Sequence, residues 1–186
     1  MFLGVVFLLC LASVPLARGR LTALADVELR HTWLALGGIG LQILIISVVS
    51  GGSAGFHEAV HMVSYGMLGA FAWVNRRVPG VPLIALGGLL NLTAIVANGG
   101  VMPADPDHAL HAARAGDGGF VNAGAVEDPR LLFLGDVLAT PGWLPLYNVY
   151  SVGDVVIVLG VVYLLHRVCG SRLVPRRRPV LDVGRP

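Results

Sequence analysis

The sequence predicts an all-α fold: a polytopic membrane helix bundle of five transmembrane helices, with the N-terminus outside and the C-terminus inside. Three observations predict it. Five apolar stretches recur, at about 2–17, 32–50, 57–74, 81–97 and 152–165, each near the ~20 residues that a helix needs to cross a ~30 Å hydrocarbon core. Mean hydropathy is +0.77. Only 13% of the 186 residues are charged, about half the share usual in a soluble domain. Finally, all 13 basic residues are arginines, and eleven of them would lie on one face of such a bundle. Arginine-rich short loops stay in the cytoplasm. The expected location is therefore the plasma membrane, as a multi-pass protein forming one domain over 1–186.

The first stretch has no basic residue before Phe2, and Arg18 and Arg20 follow it. A secretory signal has the opposite polarity, so a retained span is expected. Cys10 in this span and Cys169 beyond the last one are expected near opposite faces, which disfavours a disulfide. Two isolated cysteines also make no metal motif. Residues 20–30 read as a short polar connector, an interfacial helix at most. The second span carries Gln42, expected to bond a neighbouring helix. Glycines 37, 38, 40, 66, 69, 87 and 88 suit close helix packing. Residues 51–55 form a flexible outer turn, and 76–82 an inner turn with two prolines.

The third span opens on His57-Glu58-Ala59-Val60-His61, which matches H-E-x-x-H. On a helix this spacing puts both imidazoles on one face to hold zinc, and the glutamate activates a water. A third ligand would have to come from Asp136, Asp154, His108 or His111. The bland alternative is a polar helix end at an interface. In the fourth span, Asn91 and Asn98 read as helix-to-helix hydrogen bonds.

The outer loop 99–147 is too long for a mere connection, and such loops are often functional. Asp105 and Pro106 can start a helix in it and Gly116 can stop it. His108, His111 and Arg114 would share one face of that helix. Residues 131–147 are apolar but broken by Gly135, Pro141, Gly142 and Pro145, which reads as an interfacial or re-entrant segment. Trp143, Tyr147 and Tyr150 would sit at headgroup level.

Asp154 opens the fifth span. An acid at the edge of hydrocarbon is a functional candidate; a helix N-cap around Ser151 and Asp154 is the bland alternative. Asp136 precedes it by 18 residues on the same expected face. Two carboxylates sharing a proton can run acid–base hydrolysis. The tail 167–186 is basic, and its run Pro175-Arg176-Arg177-Arg178-Pro179 suits anionic lipid headgroups. A membrane tether explains that run more simply than nucleic acid does. The expected partner is thus the lipid bilayer, with no nucleic acid, no assigned protein partner and no cofactor.

Several motifs are familiar together. Arg20-Leu21, Leu24-Ala25, His31, Trp33-Leu34, Gln42, Ser64-Tyr65, Asn75-Arg76-Arg77, the run Asn98-Gly99-Gly100-Val101-Met102-Pro103, Leu134-Gly135-Asp136 and Ser151-Val152-Gly153-Asp154 span nearly the whole chain. In these the chain resembles a family of small bacterial, largely actinobacterial, multi-span membrane proteins, domain of unknown function 5317. His57 and Glu58 are not part of that pattern. The last third also resembles lipoprotein signal peptidase, in Asp136, then Pro145-Leu146-Tyr147-Asn148-Val149, then Asp154, Ile157 and Gly160. That resemblance implies Asp136 and Asp154 as a catalytic pair. The chain departs from it in three extra residues between Asn148 and Asp154, a missing Asn-x-x-Asp-Arg element and five expected spans instead of four.

The resulting expectation is an integral membrane protein with an outward-facing polar and acidic pocket, a non-catalytic binding or membrane component. Asn98, Met102, Asn148 and Ser151 would line the pocket with Asp136 and Asp154. The alternatives are a membrane-embedded aspartic peptidase using Asp136 and Asp154, or a zinc metallopeptidase using His57 and His61.

Overall fold

The computed structural model describes residues 2–47, 54–105, 123–124, 128–140 and 148–174. They contain five α-helices: α1 (Phe2–Leu16), α2 (Thr32–Ser47), α3 (Ala54–Val74), α4 (Val81–Ala97) and α5 (Val152–Val168). Four short strands stand between α4 and α5: β1 (Met102–Pro103), β2 (Ala123–Gly124), β3 (Asp136–Ala139) and β4 (Val149–Ser151). β1 pairs with β2 in parallel and β3 with β4 antiparallel.

The membrane expectation is corrected here. Among the described residues no helix is long and apolar enough to cross a membrane. The five transmembrane spans, their sidedness and the plasma-membrane location fall with that finding. Helices α1, α2, α4 and α5 have 15, 16, 17 and 17 residues, so the longest of these four rises about 25 Å. Helix α3 has 21 residues, but its sequence carries His57, Glu58, His61 and Ser64 among the apolar residues. Length and apolarity do not coincide in any one helix. The all-α expectation is corrected too, by the two small sheets. Of the segment expected to be interfacial or re-entrant, the described part makes a 310 turn (Leu132–Leu134) and then β3, and 141–147 lie outside the described residues. The expected loop helix with His108, His111 and Arg114 lies outside the described residues, as do Pro141, Trp143, Tyr147 and the arginines of 175–186.

The tightest packing joins α4 to α5. Two glycines seven residues apart on each helix make it possible. A Cβ on Gly87 would strike the Gly153 carbonyl, and one on Gly80 the Gly160 carbonyl. The helices therefore run antiparallel with their backbones in contact, and Gly80 turns into α4 at φ 89°. Gly37 and Gly38 likewise admit Met67 and Leu68 between α2 and α3, whereas Cβ atoms at Gly40, Gly66, Gly69 and Gly88 would meet nothing. Gln42 does bond its neighbour, donating to Ser64 Oγ at 3.2 Å. Asn75 closes the same helix pair from below: its amide accepts from Arg30 N and donates to Arg30 O, at 2.8 and 2.9 Å.

Helix α1 packs on α5 through Cys10, Val14, Leu165 and Cys169, which form one buried cluster. This corrects the expectation of Cys10 and Cys169 near opposite faces. Beneath it His166, 1% exposed, lies between two hydroxyls. Its Nε2 is 3.1 Å from Ser13 Oγ and its Nδ1 is 2.8 Å from Ser171 Oγ. Ser13 already donates to Cys10 O, so Nε2–H donates to Ser13 and Nδ1 accepts from Ser171. Large apolar side chains such as Leu16, Leu36 and Trp73 remain exposed.

Candidate functional site

Helix α5 begins at a complete capping box. Ser151 is its N-cap, with extended backbone (φ −89°, ψ 165°). Its Oγ accepts from Asp154 N at 2.9 Å, and its N–H donates to Asp154 Oδ2 at 3.1 Å. The bland sequence reading is thus present. The cap also does more than end a helix, because α4 reaches into it. Asn91 donates from Nδ2 to Asp154 Oδ1 at 2.8 Å and accepts at Oδ1 from Ser151 Oγ at 2.7 Å. Both Asp154 oxygens therefore face N–H donors. Gly153 permits this: a Cβ there would occupy the space of the Asn91 carboxamide.

Asp136 arrives from the other side. It opens β3, and its partner across the sheet is Ser151. On its far edge the Asp136 carbonyl accepts from Asp105 N at 3.2 Å, and Ala104 bridges to it in parallel. Gly135 lets the Pro103 carbonyl approach, where any side chain would collide. Burial pushes the Asp136 carboxyl from 3.8 up to about 6, and the charge of Asp154 pushes it in the same direction. Tyr65 completes the surroundings from α3. Its phenol is also raised, first by burial and then by Asp154, and it packs on the buried Ala94, Ile95 and Met102.

The structure thus brings Asp136, Asp154 and Ser151 together and sets the other expected residues around them. Asn98 is fully engaged. Its Nδ2 donates to Ala94 O and Arg130 O at 2.7 Å, and its Oδ1 accepts from Arg130 N at 2.8 Å. It holds the chain leading to β3 against α4. Met102 is buried under the site. Asn148 closes the far end of the β3–β4 pair, its N–H donating to Thr140 Oγ1 at 2.8 Å. His61 lies one turn from Tyr65 on α3, ring centroids 6.5 Å apart. The side chains of His57 and Glu58 lie outside the described residues. Among those described, no three His, Cys, Asp or Glu side chains converge as a metal site would require.

Sequence reasoning missed Asn91 and Tyr65 as parts of this site. A signal for Asn91 existed. It stands four residues after Gly87, one turn along the face that meets Gly153. For Tyr65 no spacing relates α3 to α5.

Residues 26–166 match DUF5317, a family of unknown function. The chain belongs to this family. The matched region holds the whole acidic site, from Tyr65 to Asp154, and leaves out α1. No curated protein and no solved structure matches the chain.

Proposed function

We propose that the chain is a non-catalytic binding component whose acidic site, built on Asp136 and Asp154, takes a small organic cation such as an alkylammonium group. One observation carries this reading. Two neighbouring carboxylates have unequal surroundings, Asp154 held by two N–H donors and Asp136 pushed up to about 6 by burial and by Asp154. Like charges so placed repel, and a cation between them removes the repulsion. Two carboxylates are also fewer ligands than calcium takes, which favours a monocation over a divalent metal. Butylammonium, titrated into the purified chain and followed by NMR, provides the test. Affinity should rise about tenfold per pH unit below the Asp136 midpoint, then level off above it. Asp154→Asn and Asp136→Asn should each weaken binding. Binding that ignores both substitutions sinks the proposal.

A second reading is an aspartic acid–base hydrolase. Its support is the same asymmetry, since a proton kept on one carboxyl beside an ionised one suits hydrolysis. In that case peptide cleavage should peak near the Asp136 midpoint and vanish in either Asp→Asn variant.

A further inference from the structure

At the opposite end of α5 the chain forms a second polar site, unrelated to the two aspartates. Two main-chain hydrogen bonds lash the segment after α1 to the segment after α5: Arg20 N to Cys169 O at 2.9 Å, and Arg172 N to Ala17 O at 3.0 Å. Arg18 turns the chain out of α1 at φ 59°, and Gly19 sits against Val14 and the Ser171 side chain where a Cβ would be crowded. The chain then makes a 310 turn (Leu21–Asp26). Between that turn and the end of α5 lies a cavity of about 370 Å³, lined by Arg20, Thr22, Ala23, Asp26, Cys169 and Gly170. This volume is at the small end of the ~300–1,000 Å³ range of small-molecule sites.

The lining carries one cation, one anion and one hydroxyl. Among the described residues, Arg20 and Asp26 make no ion pair with each other or with any other residue, although both line the same space. Arg20 caps this turn and Asp26 ends it, so the two residues stand at its opposite ends. A ligand carrying both charges can bridge what the side chains do not.

We infer that this cavity is a binding site for a small zwitterion whose opposite charges are well separated, of the ω-amino-acid class. Its carboxylate meets the Arg20 guanidinium, which binds carboxylates through two parallel N–H donors. Its ammonium meets Asp26, and Thr22 offers a further hydrogen bond. An α-amino acid, with both charged groups on one carbon, spans the gap poorly. The wall formed by Cys169 and Gly170 is followed by Ser171, whose hydroxyl is bonded to the buried His166.

The test uses the full chain and four probes: aminohexanoate, glycine, hexanoate and hexylammonium. Binding at this site is read from the amide signals of Ala23 and Gly170, which line the cavity and lie apart from the acidic site; there aminohexanoate should bind, and the other three should bind at least about tenfold more weakly. Arg20→Gln and Asp26→Asn should each lower aminohexanoate affinity by about tenfold. Both side chains are exposed, so an unchanged melting midpoint will show that the variants fold. Asp136→Asn should leave this binding untouched. No aminohexanoate binding, equal binding of hexanoate or glycine, or binding indifferent to both substitutions would each overturn the inference.

Discussion

The two ends of α5 treat buried polar groups in opposite ways. At its C-terminal end His166 is sealed between Ser13 and Ser171, and each ring nitrogen has a hydroxyl partner. Imidazole and hydroxyls answer one another there, and the result is a clamp between α1 and α5. At its N-terminal end the dipoles of Asn91 and of the α5 cap satisfy Asp154, but among the described residues nothing of opposite charge answers Asp136. The His166 clamp is complete as folded. The N-terminal end holds an electrostatic tension that a proton or a cation relieves. A satisfied network stabilises; a charged site left short of a counter-charge is poised to bind.

The largest effect expected is from Gly153→Leu. Ordinary overpacking costs about 1–3 kcal/mol. Here the new side chain must displace both the Asn91 carboxamide and the Gly87 carbonyl, so the loss should exceed that range. Denaturant melts will measure it. If the variant still folds, the Asp136 titration should move, while the NMR signals of His166 stay in place. A shifted His166 would break the claim that the two ends are independent.

His166→Ala should cost about 3 kcal/mol, because it strands the buried Ser171 hydroxyl and leaves a void. It should loosen α1 from α5, seen as faster amide exchange at Val14 and Gly19. The midpoint of Asp136 should remain about 6. Loss of that midpoint would tie the two ends into one network.

The smallest effect is a pH dependence at Asp136. Its folded value, about 6, lies above the ordinary 3.8. The folded state therefore holds this proton more tightly than the unfolded state does. Stability from this group is fully present below the ordinary value and is lost as pH rises to the folded one. Asp136→Asn should remove that decline and raise the melting midpoint at neutral pH relative to the parent chain. An identical pH profile in both chains would show that Asp136 is not under tension.

Much of the helical layout was legible in the sequence. The apolar stretches read as 32–50, 81–97 and 152–165 coincide with α2, α4 and α5 to within three residues at either end. The membrane reading went too far for a physical reason. Apolar runs report that a helix avoids water, but not what covers it, and an arginine asymmetry carries meaning only once a membrane is assumed. The β3–β4 pair was not legible, because strands of three and four residues leave little periodic signal. Asp136 and Asp154 could be named from their chemistry. Ser151 could be named with them too; that it pairs with Asp136 across a strand could not.

By itself the sequence determined where helices form, since apolar stretches of this length satisfy their backbone hydrogen bonds within the segment. It also determined that Ser151 and Asp154 would cap α5, since that motif closes over three residues. The tertiary structure alone decided that Gly87 meets Gly153, that Asn91 therefore reaches Asp154, and that β3 delivers Asp136 beside them. Those contacts join residues 15 to 66 positions apart, and no local pattern encodes which glycine of one helix will face which of another. The charge tension at Asp136 follows from that placement, because burial and a neighbouring carboxylate shift a proton only when they are close in space.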